Sequence, residues 1–221
     1  MQPFTLLATV YAALFVTRPG PFDDVKDEFY RAKIVPDVLP SFEPLLELYV
    51  EFPEVTVRKP GVELGVKDTD AFPRFVINSI RHNDMFKKYV LFVVDPDAYY
   101  PDDPSVSQVR HYLGANYTVE GVGEDHIWSV APQDSPRTRT PFTSPITNLT
   151  EPVTEWKSPA PPEDSDAHRY VVLAYRQPPL FTYDFIAPYL KSDRQGFNVS
   201  EFALNVGLDG PVGGTYFTVE A

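Results

Sequence analysis

Two carboxylates and two imidazoles stand at the ends of apolar runs in this chain. Asp95-Pro96-Asp97-Ala98 follows directly on the run Tyr89–Val94. His111 stands sixteen positions after Asp95, and His168-Arg169-Tyr170 opens a second apolar run after Pro161-Pro162. Carboxylates beside imidazoles can hold a divalent ion, move a proton in a hydrolysis, or hold a ring charged so that it meets an anion. Taken singly, an Asp-Pro-Asp is an ordinary turn and each histidine an ordinary structural residue; the pairing is what carries information. A calcium loop starting at Asp95 fails, because Tyr100 occupies its glycine position and Val106 its final glutamate position. No Gly-x-Ser-x-Gly elbow, His-Glu-x-x-His helix or phosphate loop is present, so a hydrolase would need an unmarked Ser or Thr as nucleophile.

The elements that must position these groups read as strands. Tyr89–Val94 and Tyr170–Tyr175 are continuous apolar runs of the kind found in strands buried on both faces. Residues 112–119, 45–52, 55–57, 75–77 and 215–219 read as further strands. Asp23–Ala32 reads as a short amphipathic helix, residues 35–40 as an extended connector, 181–189 as a helix or turn, and 199–206 as a helix. Residues 120–156 hold Pro132, Pro136, Pro141, Pro145 and Pro152 among Ser and Thr, and read as a long surface loop with at most a short strand at 127–130. His111 and His168 are expected just before strands and Asp95 and Asp97 just after one. If the strand ending at Val94 runs antiparallel to the other two, all four meet at one sheet edge. The whole is expected to be a mostly β, antiparallel sheet protein of Greek-key type with a few peripheral and C-terminal helices.

Composition sets the limits. With 221 residues and 43% hydrophobic residues, the chain supports one sizeable core and one domain. It carries 24 Pro against 11 Gly and 14% aromatics, favouring short strands joined by stiff loops. The net charge of -12 disfavours nucleic acid and anionic membrane surfaces. The absence of cysteine removes disulfides, thiolate catalysis and cysteine-ligated zinc. Residues 4–16 are apolar apart from two threonines. They are too short to span a membrane and suit a signal-peptide core, with Arg18-Pro19-Gly20-Pro21 as the break after it. No Lys or Arg precedes them and no small-x-small cleavage site follows, so an ordinary N-terminal strand or helix is the other reading. Residues 1–20 are thus a candidate signal peptide and 24–221 the folded domain, in a protein expected to be secreted, with a cytoplasmic location as the alternative. Sequons at Asn116, Asn148 and Asn198 fit secretion. Asn148, in a Pro/Thr/Ser loop, is the best candidate for glycosylation, whereas Asn116 ends a core strand and Asn198 with Glu201 reads as a helix cap.

In order and local context these motifs resemble the phosphatidylethanolamine-binding protein family. The family carries an Asp-Pro-Asp-Ala-Pro block, an Asp-Pro, and a His-aromatic-Leu strand ending in Asn. Here stand Asp95-Pro96-Asp97-Ala98, Asp103-Pro104, His111-Tyr112-Leu113 and Asn116. Its second block is matched by Pro161-Pro162, His168-Arg169-Tyr170-Val171 and Tyr175-Arg176-Gln177. Phe197, Phe202 and the run Gly210-Pro211-Val212-Gly213-Gly214-Thr215 resemble its C-terminal motifs. The resemblance covers roughly residues 24–221 and runs to fungal-type members related to carboxypeptidase Y inhibitor. Tyr99 stands where a Pro is usual, Val109 where animal members have a pocket Trp, and Phe217 where a pocket Tyr is found. A Pro/Ser/Thr-rich insertion occupies about 120–155.

The resemblance implies a non-catalytic protein without cofactor. Its pocket would take a small anion, phosphate or a phospholipid head group, and its protein partner, if it has one, would be a serine protease, a carboxypeptidase or a signalling protein. The implied ligand-binding residues are Asp95, Asp97, His111, Pro162, His168, Tyr170 and Phe217. In that pocket the aspartates would stand behind the imidazoles, orient them and raise their pKa values. The anion would meet His111, His168 and backbone N–H groups, with Pro162 and Tyr170 as walls. Two alternatives stand beside this reading: a metal-dependent or acid/base hydrolase using the same Asp and His side chains, and a secreted interaction protein whose pocket is vestigial.

Overall fold

The computed structural model describes residues 20–122, 141–190 and 193–221. Its centre is β5 (Tyr89–Asp95), flanked antiparallel by β6 (Val109–Val119) and β8 (His168–Arg176). Every residue of β5 is buried, and its side chains alternate between two apolar clusters. Val90, Phe92 and Val94 enter one cluster; Tyr89, Leu91 and Val93 enter the other. Both faces are covered, which is why the run shows no polar alternation.

The remaining strands are β1 (Glu47–Glu51), β2 (Thr56–Val57), β3 (Val62–Gly65), β4 (Arg74–Ser79), β7 (Phe142–Asn148) and β9 (Gly213–Glu220). They line up as β2-β1-β4-β7-β6-β5-β8-β9-β3. Neighbours such as β4 with β7 and β5 with β8 are not consecutive, which gives Greek-key connectivity. Every pair is antiparallel except β3 with β9, which is parallel. The sheet curls so that β1 packs against β9, with the Leu45 and Leu46 N–H groups both donating to the Val212 carbonyl. The second cluster fills this curl. The first lies under α1 (Asp23–Arg31), α2 (Ile34–Asp37), α3 (Tyr183–Ile186) and α4 (Val199–Asn205). Phe29 of α1 stacks on Phe42 at 4.1 Å, and Gly214 leaves room for its ring, since a Cβ there would lie 2.7 Å from Phe29 Cζ.

β6 changes phase part-way along. Leu113 and Ala115 face the first cluster, yet Tyr117 and Val119 face the second. Asn116 between them takes the left-handed conformation, φ 58°, and the β5–β6 register slips at the same point. One extra residue moves every later side chain to the other face.

The structure corrects several sequence expectations. The connector at 35–40 is helical over Ile34–Asp37. Val35 stays extended, as a residue before proline must, while the N–H groups of Asp37 and Val38 bond back to Lys33 and Ile34. The proline-rich stretch contains a strand, β7, despite Pro145. The β6–β7 ladder stops at Ile146; beyond it the Pro145 carbonyl still accepts from Glu120 N, without the reciprocal bond that a proline cannot donate. β6 and β8 start earlier than expected, so His111 lies inside β6 and His168 is the first residue of β8. Expectations for residues 4–16 and 127–130 lie outside the described residues. Among the described residues no helix is long and apolar enough to cross a membrane.

Candidate functional site

β5 ends where β6 and β8 begin, so the antiparallel ladders bring Asp95, His111 and His168 together. Asp95 pairs with Val109 in the β5–β6 ladder, and Val94 with Val171 in the β5–β8 ladder. The Asp95 side chain is the hub. Oδ1 accepts the Asp97 backbone N–H at 2.7 Å, closing the Asp-Pro-Asp turn on itself. Oδ2 lies 2.9 Å from His168 Nδ1 and 3.9 Å from His111 Nε2. All three side chains are buried, the aspartate being 3% exposed.

The two imidazoles are shifted in opposite directions. His168 is pulled down by burial, but its hydrogen bond to Asp95, the charges of Asp95 and Asp97 and a backbone bond to Tyr99 outweigh that and raise its pKa. Its outer nitrogen agrees with a cationic ring. Nε2 lies 3.0 Å from Ser165 Oγ, which also reaches the Asp166 carbonyl at 2.9 Å; with the hydroxyl hydrogen on that carbonyl, Nε2 donates to Oγ. His111 is held below its ordinary value, first by burial. Lys157 and Arg194 push the same way, against the Asp95 charge and the backbone bond to Lys157. His111 Nδ1 lies 2.7 Å from the Lys157 carbonyl and donates to it, so the neutral ring presents the Nε2 lone pair toward Asp95. Asp95 thus pushes both imidazoles upward, but only His168 ends above its ordinary value.

Asp97 stands one step away, in a different role. It is 3% exposed and sits in the fork of Arg169, with Oδ1 2.7 Å from Nη2 and Oδ2 3.0 Å from Nε. Oδ2 also accepts the Arg169 backbone N–H at 2.7 Å. The same guanidinium reaches the Ala32 carbonyl at 2.5 Å and Asp37 at 3.0 Å. The two carboxylates are thus not a pair at a rim, as the turn implied. Arg169 carried no assigned role in the sequence reading, although its place between the motif His and Tyr was a usable signal. Ser165 and the Lys157 carbonyl had none.

Aromatic rings form the wall behind the imidazoles. Tyr170 stacks on Phe217 at 5.5 Å and 15° and meets His111 edge-on at 5.0 Å. Burial, then the Asp95 charge, pushes its hydroxyl well above the ordinary range. Phe217 faces Tyr170 across the β8–β9 ladder and is fully buried. Pro162 is half-buried, its carbonyl accepting from Ser165 N at 3.1 Å. The three sequon asparagines lie elsewhere. Asn198 caps α4 through Glu201 N at 2.9 Å. Asn148 ends β7, with Oδ1 accepting from Thr150 N and its side chain hydrogen-bonded to Tyr112 and Tyr117. Asn116 is tied to Gln177.

Residues 49–217 match the family model described as phosphatidylethanolamine-binding protein. The chain belongs to the phosphatidylethanolamine-binding protein family. Among curated relatives, it is 27% identical over 189 residues to CEN-like protein 1 of Nicotiana tabacum, covering 86% of this chain and 89% of that one. It is also 42% identical over 67 residues to phomoidride biosynthesis cluster protein N of a fungal species, a match spanning 28% of this chain and 30% of that protein. Among solved structures, carboxypeptidase Y inhibitor, crystallised with its cognate proteinase, shares the fold with TM-score 0.70 at 22% identity, covering 88% of this chain and 94% of that one. The phosphatidylethanolamine-binding protein from Plasmodium vivax does so with TM-score 0.63 at 15% identity, covering 88% and 96%. The mostly β family fold expected from the motifs is the fold observed.

Proposed function

We propose that this family member is a non-catalytic binding protein whose Asp95, His168 and His111 cluster takes a small phosphate-type anion, free or as a phospholipid head group. One observation carries the reading: a single buried carboxylate stands 2.9 Å from one imidazole and 3.9 Å from another, and the two are shifted in opposite directions. With His168 charged and His111 neutral, the three side chains sum to zero charge. An anion arriving beside His111 Nε2 favours protonation there, and the cluster becomes net positive only when it is occupied. The Ser165 hydroxyl on His168 Nε2 stands where a ligand oxygen would sit, so binding exchanges one hydrogen bond for a charge-assisted one.

The sign of the pH dependence follows. The bound state prefers protonated His111, so affinity falls as pH rises above the depressed His111 pKa, by at most about tenfold per pH unit. Titration with O-phosphorylethanolamine and with inorganic phosphate, followed by calorimetry and imidazole NMR between about pH 5 and 8, tests this. Binding at acid pH that weakens toward neutrality supports the reading, and His111→Asn should flatten the profile. Affinity independent of pH, or no response of either imidazole, sinks it. The hydrolase alternative would have to run on Asp95 and the two imidazoles, because the Asp97 carboxylate is held in the Arg169 fork.

A second reading rests on the likeness to carboxypeptidase Y inhibitor: inhibition of a serine carboxypeptidase through a protein contact. Assay of carboxypeptidase Y with the purified chain decides it, and inhibition should survive Asp95→Asn if the contact lies outside the cluster. Secretion belongs to the same proposal; N-terminal sequencing of protein recovered from culture medium tests whether residues 1–20 are removed.

A further inference from the structure

β5 has two ends, and the second also carries a concavity. Six residues back from Asp95, roughly 20 Å along the strand, a cavity of about 790 Å³ opens beside Lys87 and Lys88. That volume falls within the roughly 300–1,000 Å³ typical of small-molecule sites. Its floor is core: Ala115, Phe181 and Ile186 belong to the first apolar cluster, and Val153 packs against it. The polar wall is preformed. Asn116 N–H donates to Gln177 Oε1 at 2.6 Å, and Gln177 Nε2 donates to Asn116 Oδ1 at 2.8 Å. Gln177 is fixed in turn by its N–H on the Lys88 carbonyl at 2.8 Å. These amides satisfy each other and hold the wall rigid.

The charge at the mouth is local and of the opposite sign to the whole chain. Lys87 and Lys88 are consecutive and half-buried, against one exposed acid, Glu151, in a protein of net charge -12. An apolar floor with Lys87 on its rim selects an apolar body with one anionic head. We infer that this cavity is a second binding site, separate from the imidazole cluster, for a small amphipathic anion: an aromatic or branched aliphatic body bearing a carboxylate or sulfonate. The stem of Lys87 covers the body while its head meets the acid group.

The test uses two fluorescent probes that share a body, 1-anilinonaphthalene-8-sulfonate and its uncharged analogue N-phenyl-1-naphthylamine, with the purified full chain. Each should bind in a single equivalent, without competition from O-phosphorylethanolamine. Lys87→Glu should weaken the sulfonate roughly tenfold, the scale of one charge-assisted contact, and leave the neutral analogue unchanged. Val153→Trp fills the cavity and should abolish both. Thr182→Trp, at an exposed lining position, does the same without touching the core, should the first variant fail to fold. Binding that persists in the filled variants places the probes elsewhere on the surface and overturns the inference. Competition by O-phosphorylethanolamine places them at the imidazoles and overturns it equally. Failure of the phosphate titration leaves this result standing, because the two sites share no side chain.

Discussion

Replacing Asp95 with asparagine tests the hub of the site with almost no change in shape. The introduced amide has one oxygen where the carboxylate has two. If that oxygen keeps the Asp97 N–H, now at 2.7 Å, the amide NH₂ faces His168 Nδ1, and two donors would meet at a spacing of 2.9 Å. His168 must then give up its Nδ1 proton and accept. Both side chains are almost fully buried, at 2% and 4% exposure, so solvent offers little relief. A hydrogen bond to a charged group contributes about 1.5–3 kcal/mol, and losing it lowers the His168 pKa. Burial is already the largest single influence on His168, and with the Asp95 charge gone only the Asp97 charge and the Tyr99 bond oppose it, so the His168 pKa falls. Stability moves with it. A raised histidine contributes fully below the unfolded pKa, about 6.5, and loses the contribution as pH rises through the folded one. The variant should therefore be about 2 kcal/mol less stable near pH 6, with the gap closing toward alkaline pH. Imidazole ¹⁵N spectra over a pH series, with urea unfolding at each pH, measure both. A His168 pKa that does not fall, or a stability gap that does not depend on pH, would refute the hub.

Arg169→Met should cost about 3–5 kcal/mol by urea unfolding, because it strands a buried Asp97 carboxylate; a loss under about 1 kcal/mol would mean the fork is decorative. Phe217→Tyr restores the hydroxyl common in relatives, but on a fully buried ring flanked by Tyr170 and Phe52. A hydroxyl without a partner there should cost about 1–3 kcal/mol, and an unchanged melting temperature would show space or a partner beside the ring. In Gly213→Ala the new Cβ would lie 2.3 Å from Leu46 Cδ1 and 3.1 Å from the Leu46 carbonyl. Because Leu46 is fully buried, a loss of about 1–3 kcal/mol is expected, read as a lowered urea midpoint at unchanged slope.

The sequence was most legible where burial is two-sided. Tyr89–Val94 and Tyr170–Tyr175 could be little but central strands, and their antiparallel relation was enough to bring Asp95, His111 and His168 together. It was least legible where a neighbour distant in the chain decides the outcome. Pro145 argued against a strand, yet β7 pairs through it with β4, and the bond it cannot donate lies past the end of the β6–β7 ladder. Val62–Gly65 has too few residues to show alternation and pairs with β9. The opposite shifts of the two histidines come from Asp95 bonding His168 at 2.9 Å while standing 3.9 Å from His111, and from Lys157 and Arg194 beside His111, none of which any spacing encodes. Asp97 looked like a partner of Asp95 because they are two residues apart, but Arg169, 72 residues away, claims it.

The pairing of β3 with β9 has a kinetic consequence. Val62 meets Phe217, so an edge strand made early finds its partner only after every other strand has been synthesised. Until β9 docks, β8 has an open edge, and the ring that backs Tyr170 is missing. Closing so long a loop comes late and slowly. During translation, then, the chain should emerge as an incomplete sheet with apolar edges, the condition in which chaperones bind and aggregation begins. Yield in a heterologous host should respond to temperature and chaperone supply more than to any substitution at the imidazoles.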